Sequence, residues 1–314
     1  MNMETGAQLA DQKAIPVLPH RTPAPPSLRV AHDRAKNGWL IHLALIFICI
    51  LMIIPFMWMV STSLKTLPKT MEYPPRWLPQ PIVWHNYVDV FTSEKANFLL
   101  WTRNSLIVEV LSVSGTMISS AIVAYGFAKI KFKGRGTLFA LMLSTMMIPF
   151  SVQMVSLFTI FRWLGDHTGT PWLGTFKPLW VPSWFGSAFS IFLLRQFFMT
   201  IPDELSESAR IDGCSELGIF FRIILPLAKP ALVVVGLFAF MGTWNDFLGP
   251  LIYLQRPEQF TLGLGLQNYQ SQQGGTDWNY LMAASVLVVL PVLTLFFLAQ
   301  KTFIEGIATT GIKG

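Results

Sequence analysis

Residues able to do chemistry are sparse in this chain, and their densest run lies between positions 201 and 230. Pro202, Asp203 and Glu204 form a helix first turn, where proline and acids are favoured, with Thr200 as its cap. Gly213 stands where that helix would end in a left-handed residue. A second short helix follows, with Leu217, Phe220, Phe221 and Ile224 at the spacing of one apolar face. Pro226 and Pro230 lead out of it. On the first helix Ser208 and Ala209 are small enough to let another surface approach closely. Glu207 beside them offers a directional carboxylate, and Asp212 precedes the glycine corner. Such a corner is either a docking knob for a protein or a helical hairpin lying on a membrane.

The elements that hold this corner are apolar. The 314 residues are 52% hydrophobic and 13% charged, with mean hydropathy +0.49. Soluble domains carry about 25% charged residues. Six stretches reach the roughly 20 residues that span a bilayer as helix: 38–63, 105–129, 137–161, 179–200, 230–254 and 281–301. The expected fold is therefore an all-α membrane protein of six transmembrane helices, with the corner in a cytoplasmic loop (200–229) between the fourth and fifth. Pro178, Pro182 and Gly186 crowd the start of the fourth. Residues 1–37, polar and rich in proline, form a flexible cytoplasmic extension ahead of the 38–314 membrane domain. No cleavable signal sequence is expected in them.

Lys and Arg placement orients the chain, because cationic loops are retained inside. With both termini inside, fifteen fall in inner segments and eight in outer ones. Lys129, Lys131, Lys133 and Arg135 crowd one short inner loop, whereas the outer segment 64–104 dissents with five. The +6 net charge follows from this orientation, so no nucleic-acid partner is implied. Cys49 and Cys214 have no metal-ligand spacing, and the five histidines are dispersed, so no metal site and no catalytic constellation are expected. No Gly-x-x-x-x-Gly-Lys-Ser/Thr run cradles phosphates, so the chain has no ATP site of its own.

Inside the apolar stretches, ionisable and amide groups are functional candidates because burying them is costly. Asp246 is the foremost, with Trp244 and Asn245 beside it. Its other reading is that it satisfies backbone groups freed near Gly249 and Pro250. Gln153, just after Pro149, either lines a route or packs helices. Glu109 is expected near the outer interface as a solvated acid. Gly115 and Ser119 form a small-residue pair that favours close packing.

Glu207-Ser208-Ala209, then Gly213, then Ile223 and Leu225-Pro226 resembles the EAA motif of bacterial ABC importer permeases, with Ser208 where alanine is usual. Arg210 to Gly213, Trp244-Asn245-Asp246-Phe247, Ala124 to Ala128 and the ending Gly311-Ile312-Lys313-Gly314 resemble its carbohydrate-uptake branch, the maltose-permease-like inner-membrane components. The resemblance runs from about residue 38 to the end. It implies a second, homologous permease subunit, two ATPase subunits that hold ATP and Mg, and an external solute-binding protein that delivers a sugar or related polyol. Glu207, Ser208, Ala209, Asp212 and Gly213 would then dock an ATPase, and residues 311–314 would reach between the ATPases. Asn245 and Trp244 would hydrogen-bond and stack against the sugar, and no cofactor would reside in this chain.

Overall fold

The computed structural model describes residues 38–93, 96–270 and 275–311, with side chains through residue 300. The extension 1–37 and the terminal Ile312, Lys313 and Gly314 lie outside the described residues. Internal contacts divide the chain at Pro55 into two units, Met1–Pro55 and Phe56–Gly314. The described part of the first unit is helix, the beginning of α1 (Gly38–Ser63), whose apolar side chains are exposed from Trp39 onward.

Among the described residues of the second unit, every regular element is helical apart from one antiparallel bridge between Gln270 and Thr276. In order come α2 (His85–Thr92), α3 (Phe98–Lys129), α4 (Arg135–Ser144), α5 (Phe150–Thr168), α6 (Ala188–Thr200) and α7 (Asp203–Ile211). Then follow α8 (Glu216–Ile219), α9 (Lys229–Trp244), α10 (Leu248–Tyr253) and α11 (Trp278–Gly311). Helices α1, α3 and α11 are each long and apolar enough to cross a membrane. Three bent pairs pass the same test together, giving up to six spans.

Helix α3 is the axis of the second unit. Its buried face runs Trp101, Ser105, Val108, Ser112, Thr116, Ser120 and Tyr125, steps of three, four and five residues that keep one side of a helix inward. Small residues let neighbours close onto it. A Cβ on Gly115 would come within 2.5 Å of the Trp184 ring, and Ser119 Oγ donates to the carbonyls of Gly115 and Ser183. The expected small-residue pair thus packs against the Val181–Phe185 turn.

Two apolar clusters fix the ends. One joins Tyr125 and Ala124 to Leu194 and Phe198 of α6, Ile219 of α8, Phe220 and Ile224 beyond it, and Val235 of α9. The other joins Trp101 to Val90, Trp244, Leu262, Tyr269 and Ala284.

Three of the expected spans depart from straight helix, among them 179–200, which passes through the Val181–Phe185 turn and Gly186 before α6 begins. The stretch 137–161 is two segments, Arg135–Met147 and Phe150–Thr168, bent by 100°. Pro149 is the cause: it leaves Ile148 in extended backbone and is itself extended, ψ 141°. The stretch 230–254 breaks between Trp244 and Leu248, ahead of the expected kink at Gly249 and Pro250.

Candidate functional site

The segment between α6 and α9 leaves the line of its flanking helices, bending by 74° at Pro202 and by 79° at Ala228. Helix α7 begins at Asp203 after extended Pro202, with Asp203 and Glu204 in its first turn. Thr200 does not cap it. That hydroxyl donates back to Phe197 O at 2.7 Å, closing α6 instead. At the other end Gly213 has φ +80°, Gly213 N donates to Arg210 O at 3.0 Å, and Cys214 N donates to Ala209 O at 2.9 Å. This is a Schellman closure, which satisfies carbonyls that a helix end otherwise leaves free. Space is not what demands glycine, because a Cβ there meets nothing within 4 Å; the left-handed backbone does.

Ser215 then caps α8 by accepting from Gly218 N at 3.2 Å, a start signal that the apolar spacing alone did not expose. The expected apolar face is shifted. Ile219, Phe220 and Ile224 are buried, whereas Leu217 and Phe221 are 70% and 59% exposed. A π turn at Phe220–Ile224 adds a residue to the local repeat and so re-aims every side chain after it.

Charge braces the corner. Arg210 Nε and Nη2 donate to Glu216 Oε1 and Oε2 at 2.6 and 3.3 Å, and Tyr125 OH donates to Oε2 at 2.7 Å. The Arg210 guanidinium and the Tyr125 hydroxyl hold the Glu216 carboxyl below its ordinary range. Lys129, whose side chain is 3% exposed, donates to Ile201 O and to Asp203 Oδ1, both at 2.6 Å, and holds Asp203 low in the same way. Of the five sequence-selected residues, Glu207, Ser208, Asp212 and Gly213 are exposed, while Ala209 is half-buried against the core. Ile211 and Leu217 add exposed apolar surface beside them. The exposed corner therefore combines carboxylates, small residues and apolar side chains on a rigid, capped base.

The candidates within the spans do not form one site. Trp244 is buried, stacked on Phe240 at 5.4 Å, and its indole N–H donates to Val288 O at 3.0 Å. Asn245 is exposed, and its amide donates to Met241 O at 2.8 Å. Asp246 Oδ1 accepts from Gly249 N at 3.0 Å across the helix break, the backbone-satisfying reading, and the residue also lines a cavity of about 120 Å³ with Thr243 and Thr261. Gln153 lies apart on α5, its amide donating to Ile148 O at 2.9 Å. Glu109, expected to be solvated, is only 4% exposed, and neither of its oxygens has a hydrogen-bond partner among the described residues. Gly311 is the last residue of α11.

Bent apolar helices around an exposed, glycine-cornered helical loop define the membrane component of a transporter. Residues 117–308 match the family described as binding-protein-dependent transport system inner membrane component, and the chain belongs to it. It is 37% identical over 236 residues to the arabinooligosaccharides transport system permease protein AraQ of Bacillus subtilis, covering 75% of this chain and 81% of that one. It is 30% identical over 280 residues to the galactooligosaccharides transport system permease protein GanQ of the same species, covering 87% and 94%. Its fold is similar to that of a bacterial ABC transporter involved in import of the acidic polysaccharide alginate. The TM-score there is 0.74 at 22% identity, over 86% of this chain and 97% of that one.

Proposed function

We propose that this chain is the membrane-spanning permease subunit of an ATP-binding-cassette importer that carries a sugar or related polyol. The observation that carries the reading is the exposed corner of α7: Glu207, Ser208 and Asp212 stand outward on a helix closed at Gly213 and braced at both ends. A helix presented in this way fits a cleft in a second protein better than a bilayer surface, because acids crowd it where an interfacial helix would carry Lys and Arg. The partners are a second, homologous permease, two ATPase subunits and an external solute-binding protein. ATP and Mg belong to the ATPases, since the chain has no phosphate-cradling run. Glu207, Ser208, Ala209, Asp212 and Gly213 dock one ATPase, and the tail 311–314 adds a contact between the two. Both termini lie in the cytoplasm. Relatives named for arabinooligosaccharides and galactooligosaccharides support a sugar as cargo. Asn245 and Asp246 are the residues we assign to its path.

Co-purification with the ATPase and partner permease tests this. The intact complex hydrolyses ATP faster when loaded binding protein is added. Glu207→Ala lowers that stimulation by about tenfold, the loss of one charge-assisted hydrogen bond. A chain that moves solute alone, without any ATPase, overturns the reading.

A further inference from the structure

We propose that α3 is a rigid lever joining the docking helix α7 to the loop 257–262 at the opposite end of the unit, with Tyr125 and Lys129 as the positioning residues that grip α7. The proposal rests on the docking role assigned to α7 above. Tyr125 and Lys129 stand one turn apart on the last stretch of α3 and hold opposite ends of α7. Lys129 takes the entry, through Ile201 O and the Asp203 carboxylate. Tyr125 takes the exit, through Glu216 and so through Arg210. Neither contact is local in sequence, and Lys129 keeps its charge buried to make its own.

The far end of α3 is tied as firmly. Trp101 Nε1 donates to Pro257 O at 3.1 Å, Asn104 Nδ2 donates to Glu258 O and Phe260 O at 2.9 and 3.0 Å, and Leu262 N donates to Ser105 Oγ at 2.7 Å. Four hydrogen bonds therefore fasten 257–262 to one face of the same helix. The 24 residues from Trp101 to Tyr125 separate the two sets of anchors by about 36 Å.

What lies between them is suited to transmit displacement. Helix α3 is continuous for 32 residues and contains no proline, whereas the other five spans carry Pro55, Pro149, Pro182, Pro250 and Pro291 among them. The stretches that hold Pro149, Pro182 and Pro250 are broken, and α1 and α11, though continuous, each lose a backbone hydrogen bond at Pro55 and Pro291 and so give more readily under load. An unbroken helix clamped at both ends moves as one body, so a shift of α7 on its ATPase must appear at 257–262. The helix is then the part that carries a displacement from one end to the other.

The test uses the complete complex in lipid nanodiscs, in a Cys49→Ala, Cys214→Ala background that retains transport. An environment-sensitive fluorophore is placed at Glu258→Cys, whose side chain is exposed and outside the Asn104 contact. With the grip intact, ATP changes the label's signal. Tyr125→Phe removes one hydroxyl and leaves the Arg210–Glu216 pair in place. We expect it to capture the ATPase as the parent does while the ATP-driven signal and the solute moved per ATP fall about tenfold. Lys129→Gln should do the same. Arg210→Glu alone should lose the signal, and pairing it with Glu216→Arg should restore part of it. A full signal in both Tyr125→Phe and Lys129→Gln overturns the lever. So does loss of ATPase capture in Tyr125→Phe, which would make the hydroxyl part of the docking surface. Failure of the docking reading is separate: the parent complex would then not capture an ATPase.

Discussion

Charged side chains in this molecule are informative mainly through what they lack or find as partners. Glu109 is buried on α3 without a hydrogen-bond partner among the described residues, and an unsatisfied buried polar group destabilises by about 1–3 kcal/mol. Glu109→Met, of similar length and apolar, is expected to raise the thermal midpoint of the purified complex; a lowered midpoint would show that the carboxylate is satisfied in the assembled state. Asp203 and Glu216 are the opposite case, each held low by a cationic neighbour. A carboxyl with a depressed pKa contributes stability that is present above its unfolded value and lost as pH falls through the folded one. The α7 corner should therefore keep its amide protection from neutral pH down to about 4 and lose it below, measured by hydrogen exchange at corrected intrinsic rates. Glu216→Gln should abolish that acid step at α8 while leaving neutral-pH protection weaker throughout. Glu109 had no legible sign of burial in the sequence, since an acid among apolar residues reads the same whether it faces lipid, water or its own core. Gly213 was legible, because only a left-handed closure explains glycine between two short amphipathic runs.

At the scale of elements, what could be read was what depends on local composition. The apolar stretches appear as α1, α3, α11 and the bent pairs, and the 201–230 segment appears as two helices at a glycine corner. What could not be read depends on how one turn meets the next. A proline announces that a helix changes direction but not by how much, so the 100° bend at Pro149 lay hidden behind an ordinary-looking span. The π turn at Phe220–Ile224 has no sequence signature, and with it Phe221 lies at the surface rather than in the expected core; Leu217, which precedes the turn, is exposed as well. The break at Asn245 to Phe247 precedes its proline because Asp246 supplies the acceptor that lets α10 start afresh at Leu248. The glycine corner allows a graded test. Because nothing crowds a Cβ at position 213, substitution there changes backbone strain alone. Gly213→Asn should be nearly silent, Gly213→Ala should destabilise the corner by about 1–2 kcal/mol, and Gly213→Val should do so further. Hydrogen-exchange protection across α7 is the measurement, and equal behaviour of all three would show that the corner is not held by its left-handed turn.

At the scale of the whole molecule, the open question is why the 64–104 segment carries five cations on the side that the charge rule assigns to the outside. Three of them are engaged by the fold. Lys65 is 2% exposed, donates to Arg76 O at 2.6 Å and lies 4.1 Å from the Trp58 ring, and burial holds its pKa below the usual lysine range. Lys69 donates to Gln80 O, and Arg76 pairs with Glu72 at 3.4 Å. Lys131 and Lys133 stand exposed on a loop of a few residues, where positive charge retains a segment most effectively. Three of the five dissenting cations thus serve the structure of their own segment, and the charge rule gives the very short basic loop the larger weight in direction. Single cysteines placed at Lys133 and Glu258, in a chain lacking Cys49 and Cys214, give the check. In intact cells a membrane-impermeant maleimide should label position 258 and spare 133, and permeabilisation should expose 133. Changing Lys131 and Lys133 to glutamine should invert a fraction of the chains, seen as labelling at 133 without permeabilisation. Changing Lys69 and Arg76 to glutamine should leave every chain in its original direction while lowering thermal stability. Labelling of 133 in intact cells of the parent would reverse the topology and place α7 outside, where no ATPase could reach it.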